Sequence, residues 1–569
     1  MKYSKLALLV SAALLVSAGA YASDDNVATV DQNGTDNTAN VTQQLNSDNN
    51  DATISQDGTT NTASVTQADT SNTEAFVTQR GDLNQGHIYQ HNTTQTATAT
   101  IDTDGNNNTA NIEQQFYNGD NASALVMQIG DSNIANIMQD NGDGANSTIY
   151  QNGSGDTAEV VNAWSDYANA TITQNVGTGN NAYISQDASD SAVAEITQTG
   201  AGNDGDIVQN TENYGGAGSD TTFAVLTQTN DGNRGYISQT ALASNATINQ
   251  NGNMNEAEVY QSDVNNTANV QQLGNDDDAF VFQTGQDGNV AVNQMGNTGS
   301  LATVNQGGVN NNAMIDQVGT SLTATVNQSD FDNVADVDQS DMGSTVIVNQ
   351  SGSVSGFGNL ATVVQDGNAD YATIDQVGIN NTASVNQHSA ATSSWGQSFS
   401  NTVDIDQNGE SNTGEAHSYS GANSTITIDQ DGTSNNAWAA TYGDSDTSSI
   451  KQDGSSNTAY AQSWFDGSTA NVTQDGISNT AYAYAGSDAS NVDIYQEGEL
   501  NDATGFTYGS GDDINISQIG IENKAYATAS TYGAGHGSNT INVTQTNMNN
   551  TATVGLLGNG NAVTIIQGM

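Results

Sequence analysis

The chain has 569 residues, of which 63 are acidic and 6 are basic, and its formal net charge is −57. A charge this negative repels nucleic acid and anionic lipid, which excludes binding through phosphate groups. The chain contains no cysteine and therefore no disulfides, and it also lacks proline, which disordered chains usually contain in abundance.

The first segment in chain order, residues 1–22, is predicted to be a signal peptide. Lysines at positions 2 and 5 precede an apolar run over residues 6–16, and residues 20–22 (Ala-Tyr-Ala) supply small side chains for cleavage. The run is too short to span a bilayer. We therefore expect an exported mature chain that starts at Ser23, carries a formal net charge of −59 and does not insert into a membrane.

From Gln32 onward the chain repeats the pattern Q-x-G-x-x-N-x-A-x3-Q. Complete copies occupy residues 32–43, 56–67, 128–139, 250–261, 306–317 and 376–387, with degraded copies between them. A short period of this kind indicates a repeat architecture, in which each unit buries its apolar face only against its neighbours.

The alternation within one copy predicts strands. In residues 61–67, Asn61, Ala63, Val65 and Gln67 share one parity, and in a strand they face the same side. We expect strands of five to seven residues joined by a tight turn after each Gln, where Gly can adopt φ > 0. Two strands then make a rung of about 22 residues, because the glutamines recur every 11 or 12 residues. The predicted fold is all-β, a β-solenoid of two-strand rungs in parallel cross-β stacking.

Stacked rungs superimpose like side chains, so buried amides can hydrogen-bond along the axis. An unpaired buried amide costs about 1–3 kcal/mol, so a ladder of amides specifies the register. The predicted ladder contains Gln32, Asn37, Gln43, Gln56, Asn61, Gln67, Gln128, Asn133, Gln139, Gln250, Asn255, Gln261, Gln306, Asn311, Gln317, Gln376, Asn381, Gln387, Gln430, Gln452, Gln474, Gln496 and Gln518. The predicted turn glycines are Gly34, Gly58, Gly130, Gly252, Gly308, Gly378, Gly432, Gly454, Gly476, Gly498 and Gly520.

This motif resembles the curlin repeat, the unit of the curli amyloid fibres of Gram-negative bacteria, and the resemblance covers nearly all the mature chain. It implies a β-solenoid subunit that polymerises with itself on the cell surface, a curli-type nucleator, and secretion through an outer-membrane pore. Three features differ from curlin. The repeats are several times more numerous, the Gly-rich targeting segment after the signal peptide is absent, and from Gln407 onward the second Gln of the motif is largely lost.

These differences divide the mature chain into three predicted segments: residues 23–387 with Gln in both half-rungs, an irregular Ser-rich junction at 388–406, and regular 22-residue rungs at 407–569. In the last segment Ala and Ser take the inner parity, which places an aromatic stripe outside. The stripe comprises Trp438, Tyr460, Trp464, Tyr482, Tyr484, Phe506, Tyr508 and Tyr526. Stacked rings would stiffen the sheet, pack laterally between rods or stack on sugars. Our hypothesis is that this stripe bundles fibres.

Turn carboxylates also recur every 22 residues, at Asp431, Asp453, Asp475 and Glu497. They are either simply solvated or bridged by calcium, a hard cation that prefers oxygen ligands. Residues 215–220 match the calcium-binding pattern G-G-x-G-x-D once. Calcium is the one cofactor that the sequence suggests.

No catalytic constellation stands out from the repeats, so we expect no enzyme. His87 and His91 share a strand face without a third ligand. The predicted function is a secreted structural subunit of curli-like fibres for adhesion and biofilm matrix, because a last strand near residue 567 without a capping unit leaves an edge open to another chain. The alternative is a monomeric exported adhesin or an ice- or glycan-binding solenoid, for which outward threonines such as Thr38 and Thr62 are suited.

Overall fold

The computed structural model describes residues 25–44, 46–92, 96–115, 121–210, 222–240, 242–296, 298–388, 400–530 and 538–568. The predicted signal peptide, the calcium-like motif at 215–220 and residues 389–399 of the predicted junction lie outside these ranges. The described chain forms two units, residues 25–276 and 277–568. Each is a β-solenoid of parallel strands, which confirms the predicted fold, and the described residues include no helix.

In the N-terminal unit the strands alternate between two sheets. The odd-strand sheet contains β1 Val27–Thr35, β3 Asp51–Thr59, β5 Glu74–Arg80, β7 Thr98–Asp104, β9 Ser123–Asp131, β11 Asn146–Ser154, β13 Asn169–Thr178, β15 Val193–Ala201, β17 Phe223–Thr229, β19 Asn245–Asn251 and β21 Thr267–Gln272. The even-strand sheet contains β2 Thr38–Gln44, β4 Thr62–Ala68, β6 Gln85–His91, β8 Thr109–Gln115, β10 Ile134–Asp140, β12 Thr157–Ala163, β14 Asn181–Asp187, β16 Asp204–Asn210, β18 Arg234–Gln239 and β20 Glu256–Gln261.

The C-terminal unit has the same arrangement. Its odd-strand sheet contains β23 Asn289–Gln294, β25 Asn312–Thr320, β27 Val334–Met342, β29 Leu360–Gln365, β31 Thr382–Gln387, β33 Thr413–Ser418, β35 Asn436–Thr441, β37 Thr458–Ser463, β39 Thr480–Ala485, β41 Asp502–Thr507, β43 Lys524–Ser530 and β45 Thr551–Leu557. Its even-strand sheet contains β22 Asp278–Gln283, β24 Leu301–Gln306, β26 Thr323–Gln328, β28 Thr345–Ser351, β30 Tyr371–Ile379, β32 Thr402–Glu410, β34 Thr425–Thr433, β36 Thr447–Ser455, β38 Thr469–Ile477, β40 Asn491–Glu499, β42 Asp513–Ile521, β44 Thr540–Met548 and β46 Ala562–Gln567.

Successive strands of each sheet pair in parallel and in the register of the repeat. Gln32 of β1 lies beside Gln56 of β3, and Val41 of β2 beside Val65 of β4. Ala63, Val65 and Gln67 are buried between the sheets, while the threonines beside them are partly exposed. The core is therefore a narrow stack of Ala, Ile or Val, and Gln from both sheets.

Most strands have six or seven residues, within the predicted length, but the prediction of strand length and turn position was wrong for a second group. In this group the strand runs through the Gly of Q-x-G, so that β3 includes Asp57, Gly58 and Thr59, and the turn begins only at Thr60. Many of these strands have nine residues rather than five to seven. The extra length arises because the next rung pairs with the Q-x-G backbone as well: Gly34 lies in register with Gly58.

Candidate functional site: amide ladders and an aromatic face

Buried glutamines form hydrogen-bond ladders that run from rung to rung between the two sheets. Gln430 Nε2 donates to Gln452 Oε1 at 2.8 Å, and Gln452 Nε2 donates to Gln474 Oε1 at 2.8 Å. The second hydrogen of Gln452 Nε2 goes to the carbonyl of Asn436 in β35, on the opposite sheet. Each Gln therefore joins its rung to the next one and also joins the two sheets within its own rung.

In the N-terminal unit the predicted glutamines Gln32, Gln56, Gln128 and Gln250 lie on the odd-strand sheet, and Gln43, Gln67, Gln139 and Gln261 lie on the even-strand sheet. In the C-terminal unit Gln317 and Gln387 lie on the odd-strand sheet, and Gln306, Gln376, Gln430, Gln452, Gln474, Gln496 and Gln518 lie on the even-strand sheet. There the ladder runs from Gln283 to Gln567 without a break.

Both ladders of the N-terminal unit are interrupted. Thr103 occupies the Gln position of β7, and the Oε1 atom of Gln128 in the next rung is buried without a hydrogen-bond donor. Asn162 likewise occupies the Gln position of β12, and the Oε1 atom of Gln186 in the next rung is buried without a donor. Asn162 Oδ1 is also buried without a donor, so Thr103 leaves one buried acceptor unsatisfied and Asn162 leaves two, at a cost of about 1–3 kcal/mol each.

The asparagines bind the turn backbone, and in many rungs they also bond to one another, as where Asn479 Nδ2 donates to Asn457 Oδ1 at 3.2 Å. Asn457 Oδ1 accepts the backbone N–H of Asn479 at 3.0 Å, and Asn457 Nδ2 donates to the carbonyl of Gly476 at 3.0 Å. Asn37, Asn61, Asn133, Asn311 and Asn381 likewise each accept the backbone N–H of the corresponding residue in the next rung, and Asn255 donates its backbone N–H to Asn233 Oδ1. The Asn column therefore binds the turn backbone, which is where a parallel solenoid would otherwise leave polar groups unpaired.

The turn glycines explain why this acceptor lies within reach. A Cβ on Gly454 would stand 2.1 Å from the carbonyl oxygen of Gly476, and the same holds for Gly476 against Gly498. Gly34, Gly58, Gly130, Gly308, Gly378, Gly432, Gly454, Gly476, Gly498 and Gly520 all have a positive φ, as predicted. Gly252 does not, so that prediction was wrong; it is required instead by its close approach to the carbonyl of Gly274.

A second strained position was not predicted. In most rungs of the Asn column the residue immediately before the Asn adopts the left-handed conformation, with φ of 60° at Thr60, 57° at Met254 and 58° at Ser456. Some rungs have glycine there, such as Gly202 and Gly232, but these three residues carry side chains, and their residue types do not indicate a positive φ. A left-handed non-glycine residue costs about 1–3 kcal/mol and persists only where its surroundings hold it in place. Here the Asn ladder fixes the residue that follows.

Carboxylates replace the buried Asn at several rungs. Asp446 Oδ1 accepts the backbone N–H of Ser468, and its Oδ2 accepts that of Gly443 at 2.8 Å. Burial raises the pKa of Asp446 to about 6, although these hydrogen bonds oppose the shift. Burial also raises the pKa of Asp156 and Asp512, and each keeps one buried carboxylate oxygen without a donor.

The aromatic residues of the predicted stripe form two columns on the odd-strand sheet of the C-terminal unit. Trp438 lies in register with Tyr460, and Tyr460 with Tyr482, at centroid distances of 6.5 and 5.9 Å. Further along the face, Phe506 contacts both Tyr484 and Tyr526, each at a centroid distance of 5.9 Å. Beside it, Tyr442 and Trp464 stack at 4.0 Å. Tyr508 is exposed at the margin of the face and contacts Tyr484 and Phe506. Tyr419, which was not part of the predicted stripe, stacks on Tyr442 at 4.7 Å.

The acidic turn residues also superimpose: Asp431 lies beside Asp453, Asp453 beside Asp475, and Asp475 beside Glu497. Among the described residues there is no group of three or more His, Cys, Asp or Glu side chains placed to hold a metal ion. Calcium bridging in this column stays a hypothesis, which a thermal melt with and without added calcium tests.

A comparison with protein families decides the classification. The model described as "Curlin associated repeat" matches residues 48–81, 298–329, 356–388, 400–432, 421–460 and 488–520. The chain is a curlin-repeat protein. No curated protein matches this curlin-repeat protein. Its repeat family is associated with extracellular curli fibres and is a structural family not known for catalysis. Within the described ranges, no helix is both long and apolar enough to cross a membrane.

Proposed function

We propose that this curlin-repeat protein is a secreted structural subunit of curli-like amyloid fibres on the surface of a Gram-negative bacterium, serving adhesion and biofilm matrix. The observation that carries the proposal is the chemical identity of successive rungs. Gln452 contacts Gln474 through the same bond, 2.8 Å long, that Gln474 makes to Gln496. Such a contact works equally well between two rungs of one chain and between rungs of two chains.

Polymerisation then proceeds by rung-on-rung strand addition, because an exposed parallel edge is a template for another strand. The partner of the chain is a further copy of itself. Its resemblance to curlin supports export through an outer-membrane pore and a curli-type nucleator as further partners.

The test is to incubate the purified mature chain, residues 23–569, and follow thioflavin fluorescence together with negative-stain electron microscopy. We expect fibres, and aligned fibres should give a meridional X-ray reflection at about 4.7–4.8 Å. A chain that stays monomeric at high concentration over days would contradict the proposal and favour the alternative, a monomeric exported adhesin or an ice- or glycan-binding solenoid.

A further inference from the structure

The outward surface of strands β35, β37, β39, β41 and β43 is nearly free of charge. Its outward positions hold Thr, Asn, Gln, Ala and the six rings of Trp438, Tyr460, Tyr482, Tyr484, Phe506 and Tyr526, which together with these strands we call the aromatic face. Its two charged side chains, Asp502 and Lys524, lie side by side in register, so their charges offset each other.

The other sheet of the same rungs is strongly acidic. Outward positions of β34, β36, β38, β40 and β42 carry Asp429, Asp431, Asp453, Asp475, Asp493, Glu497, Glu499 and Asp513, with Lys451 as their one basic residue. In a chain of net charge −57, two copies that approach through such a sheet repel each other. The aromatic face is the part of these rungs where approach costs least electrostatically.

The packing of the rings decides between a sugar and a protein as the occupant. A sugar stacks on a flat, exposed ring face, but neighbouring rings of the aromatic face are tilted against each other. The planes of Tyr460 and Tyr482 are 32° apart at 5.9 Å, and those of Phe506 and Tyr526 are 60° apart at 5.9 Å. The face is therefore corrugated, with ring edges between ring faces, and offers no flat platform. Ring edges pack well between the rings of a second such surface, in tilted or edge-to-face geometry.

We propose that the aromatic face is the lateral contact between two copies of this chain, each placing its own aromatic face against that of the other. The contact is isologous, since the same patch serves both partners. It rests on the proposed fibre function, because five strands of six residues span only about 20 by 20 Å. That is about 400 Å² per copy, half of the ~800 Å² per partner in a stable complex. Pairing is therefore weak between single chains and strong between fibres, where the contact repeats along the axis.

The test compares filaments of the wild type with two variants by negative-stain microscopy at 0.1 M salt. The triple variant Tyr460→Ser, Tyr482→Ser, Tyr484→Ser removes ring contacts. The double variant Gln462→Glu, Thr504→Glu keeps every ring and adds two carboxylates. We expect bundles from the wild type and single filaments from both variants. The matched control Tyr495→Ser, on the acidic sheet, should bundle as the wild type does.

The dependence of bundling on salt concentration distinguishes the two variants. At 1 M salt the Debye length falls to about 3 Å, so the double-Glu variant should bundle again while the triple Ser variant stays single. Bundles of unchanged width in both variants at 0.1 M salt would overturn the lateral contact while leaving the fibre function intact. Wild-type filaments that stay single but bind insoluble cellulose, with binding lost in the triple variant, would overturn it in favour of a glycan.

Absence of filaments from every protein would instead contradict the fibre function. The lateral contact is then decided by sedimentation equilibrium of the full mature chain at high concentration. Concentration-dependent pairing that both variants lose and Tyr495→Ser retains would support it. An ideal monomer for the wild type would overturn it.

Discussion

The N-terminal unit and the C-terminal unit from β33 onward use different devices to fix the register of one repeat. In the N-terminal unit both sheets carry a buried Gln in most rungs, for example Gln56 and Gln67. From β33 onward the Gln position of the odd-strand sheet holds Ser418, Thr441 and Ser463 instead. The aromatic rings, such as Trp438 and Tyr460, lie on the outward side of the same strands. An internal amide ladder is thus exchanged for an external column of aromatic rings.

The comparison teaches that a parallel stack needs some side chain that distinguishes one register from the next. A buried amide does so because a slipped partner leaves it unsatisfied. A stacked ring does so because its neighbour covers its face. The even-strand sheet of the C-terminal unit keeps its Gln ladder unbroken. Losing the ladder of the odd-strand sheet there therefore removes only one of the two amide ladders that fix the register.

The largest effect is expected at the glycine column, which both regions share. Gly476→Ala places a Cβ about 2.1 Å from the carbonyl of Gly498, at a φ of 118°. That carbonyl accepts from Asn479, so the clash also disturbs the Asn column. We expect the variant to lose at least about 3 kcal/mol of unfolding free energy, from backbone strain and a displaced hydrogen bond.

Denaturant titration by circular dichroism measures this loss. The control is Gly467→Ala, whose Cβ meets nothing within 4 Å at a φ of 70°, so that only the strain of about 1 kcal/mol applies. Equal losses in the two variants would show that close approach of the backbone is not what selects glycine.

The next effect concerns the single ladder of the C-terminal rungs. Gln474→Met keeps the volume but leaves Gln452 Nε2 without its acceptor and Gln496 Oε1 without its donor. We expect a loss of about 2–4 kcal/mol, since each unsatisfied buried group costs about 1–3 kcal/mol. Gln462→Met, on the outward face, should change stability by less than about 0.5 kcal/mol. Denaturant midpoints check both, and equal midpoints would remove the buried amide as the source of stability.

A repair is possible in the N-terminal unit. Thr103→Gln restores the missing ladder member, accepts from Gln79 and donates to Gln128 Oε1, which lacks a donor. We expect a gain of about 1–2 kcal/mol. The same change at Thr100, which faces outward in the same strand, should leave the midpoint of unfolding where it is. A lower midpoint for Thr103→Gln would mean that the rung has closed around the smaller side chain.

The smallest effect is a pH dependence at Asp446. Its pKa is raised to about 6 in the fold, above its ordinary value of 3.8, so the ionised form destabilises the folded chain at neutral pH. As the pH falls through about 6 the folded state takes up a proton and gains stability, and the gain is complete near pH 3.8, where the unfolded chain is protonated too. Asp466 is the neighbouring carboxylate that adds to this shift.

Asp446→Asn keeps the acceptor for Ser468 but places a nitrogen, which cannot accept, where Oδ2 accepts from Gly443. The decisive quantity is therefore the pH dependence: the stability of the variant relative to the wild type should rise from pH 4 to pH 7, because only the wild type ionises at this position. Taking the difference between the two proteins cancels the contribution of the overall charge common to both. Thermal melts at intervals of half a pH unit measure it. A difference that does not change with pH would show that Asp446 is already protonated at neutral pH or titrates normally.

The repeat pattern by itself determined the fold class, the inward residues and the parallel register. Period-two alternation selects strands, and polar side chains such as Gln67 on the apolar parity are tolerable only if they pair with their own kind in the next rung. Because the motif recurs every 22 residues, the sequence alone predicts that equivalent side chains of successive rungs lie above one another.

Only the tertiary structure decided how the turn is built and where the ladders fail. The pairing of Gly454 against Gly476 extends the strand past Gln452, and the left-handed backbone at Ser456 follows from it. The unsatisfied Gln128 Oε1 depends on a residue of the preceding rung, Thr103. These features arise from contacts between rungs, and a motif read one copy at a time does not contain the neighbour that makes them.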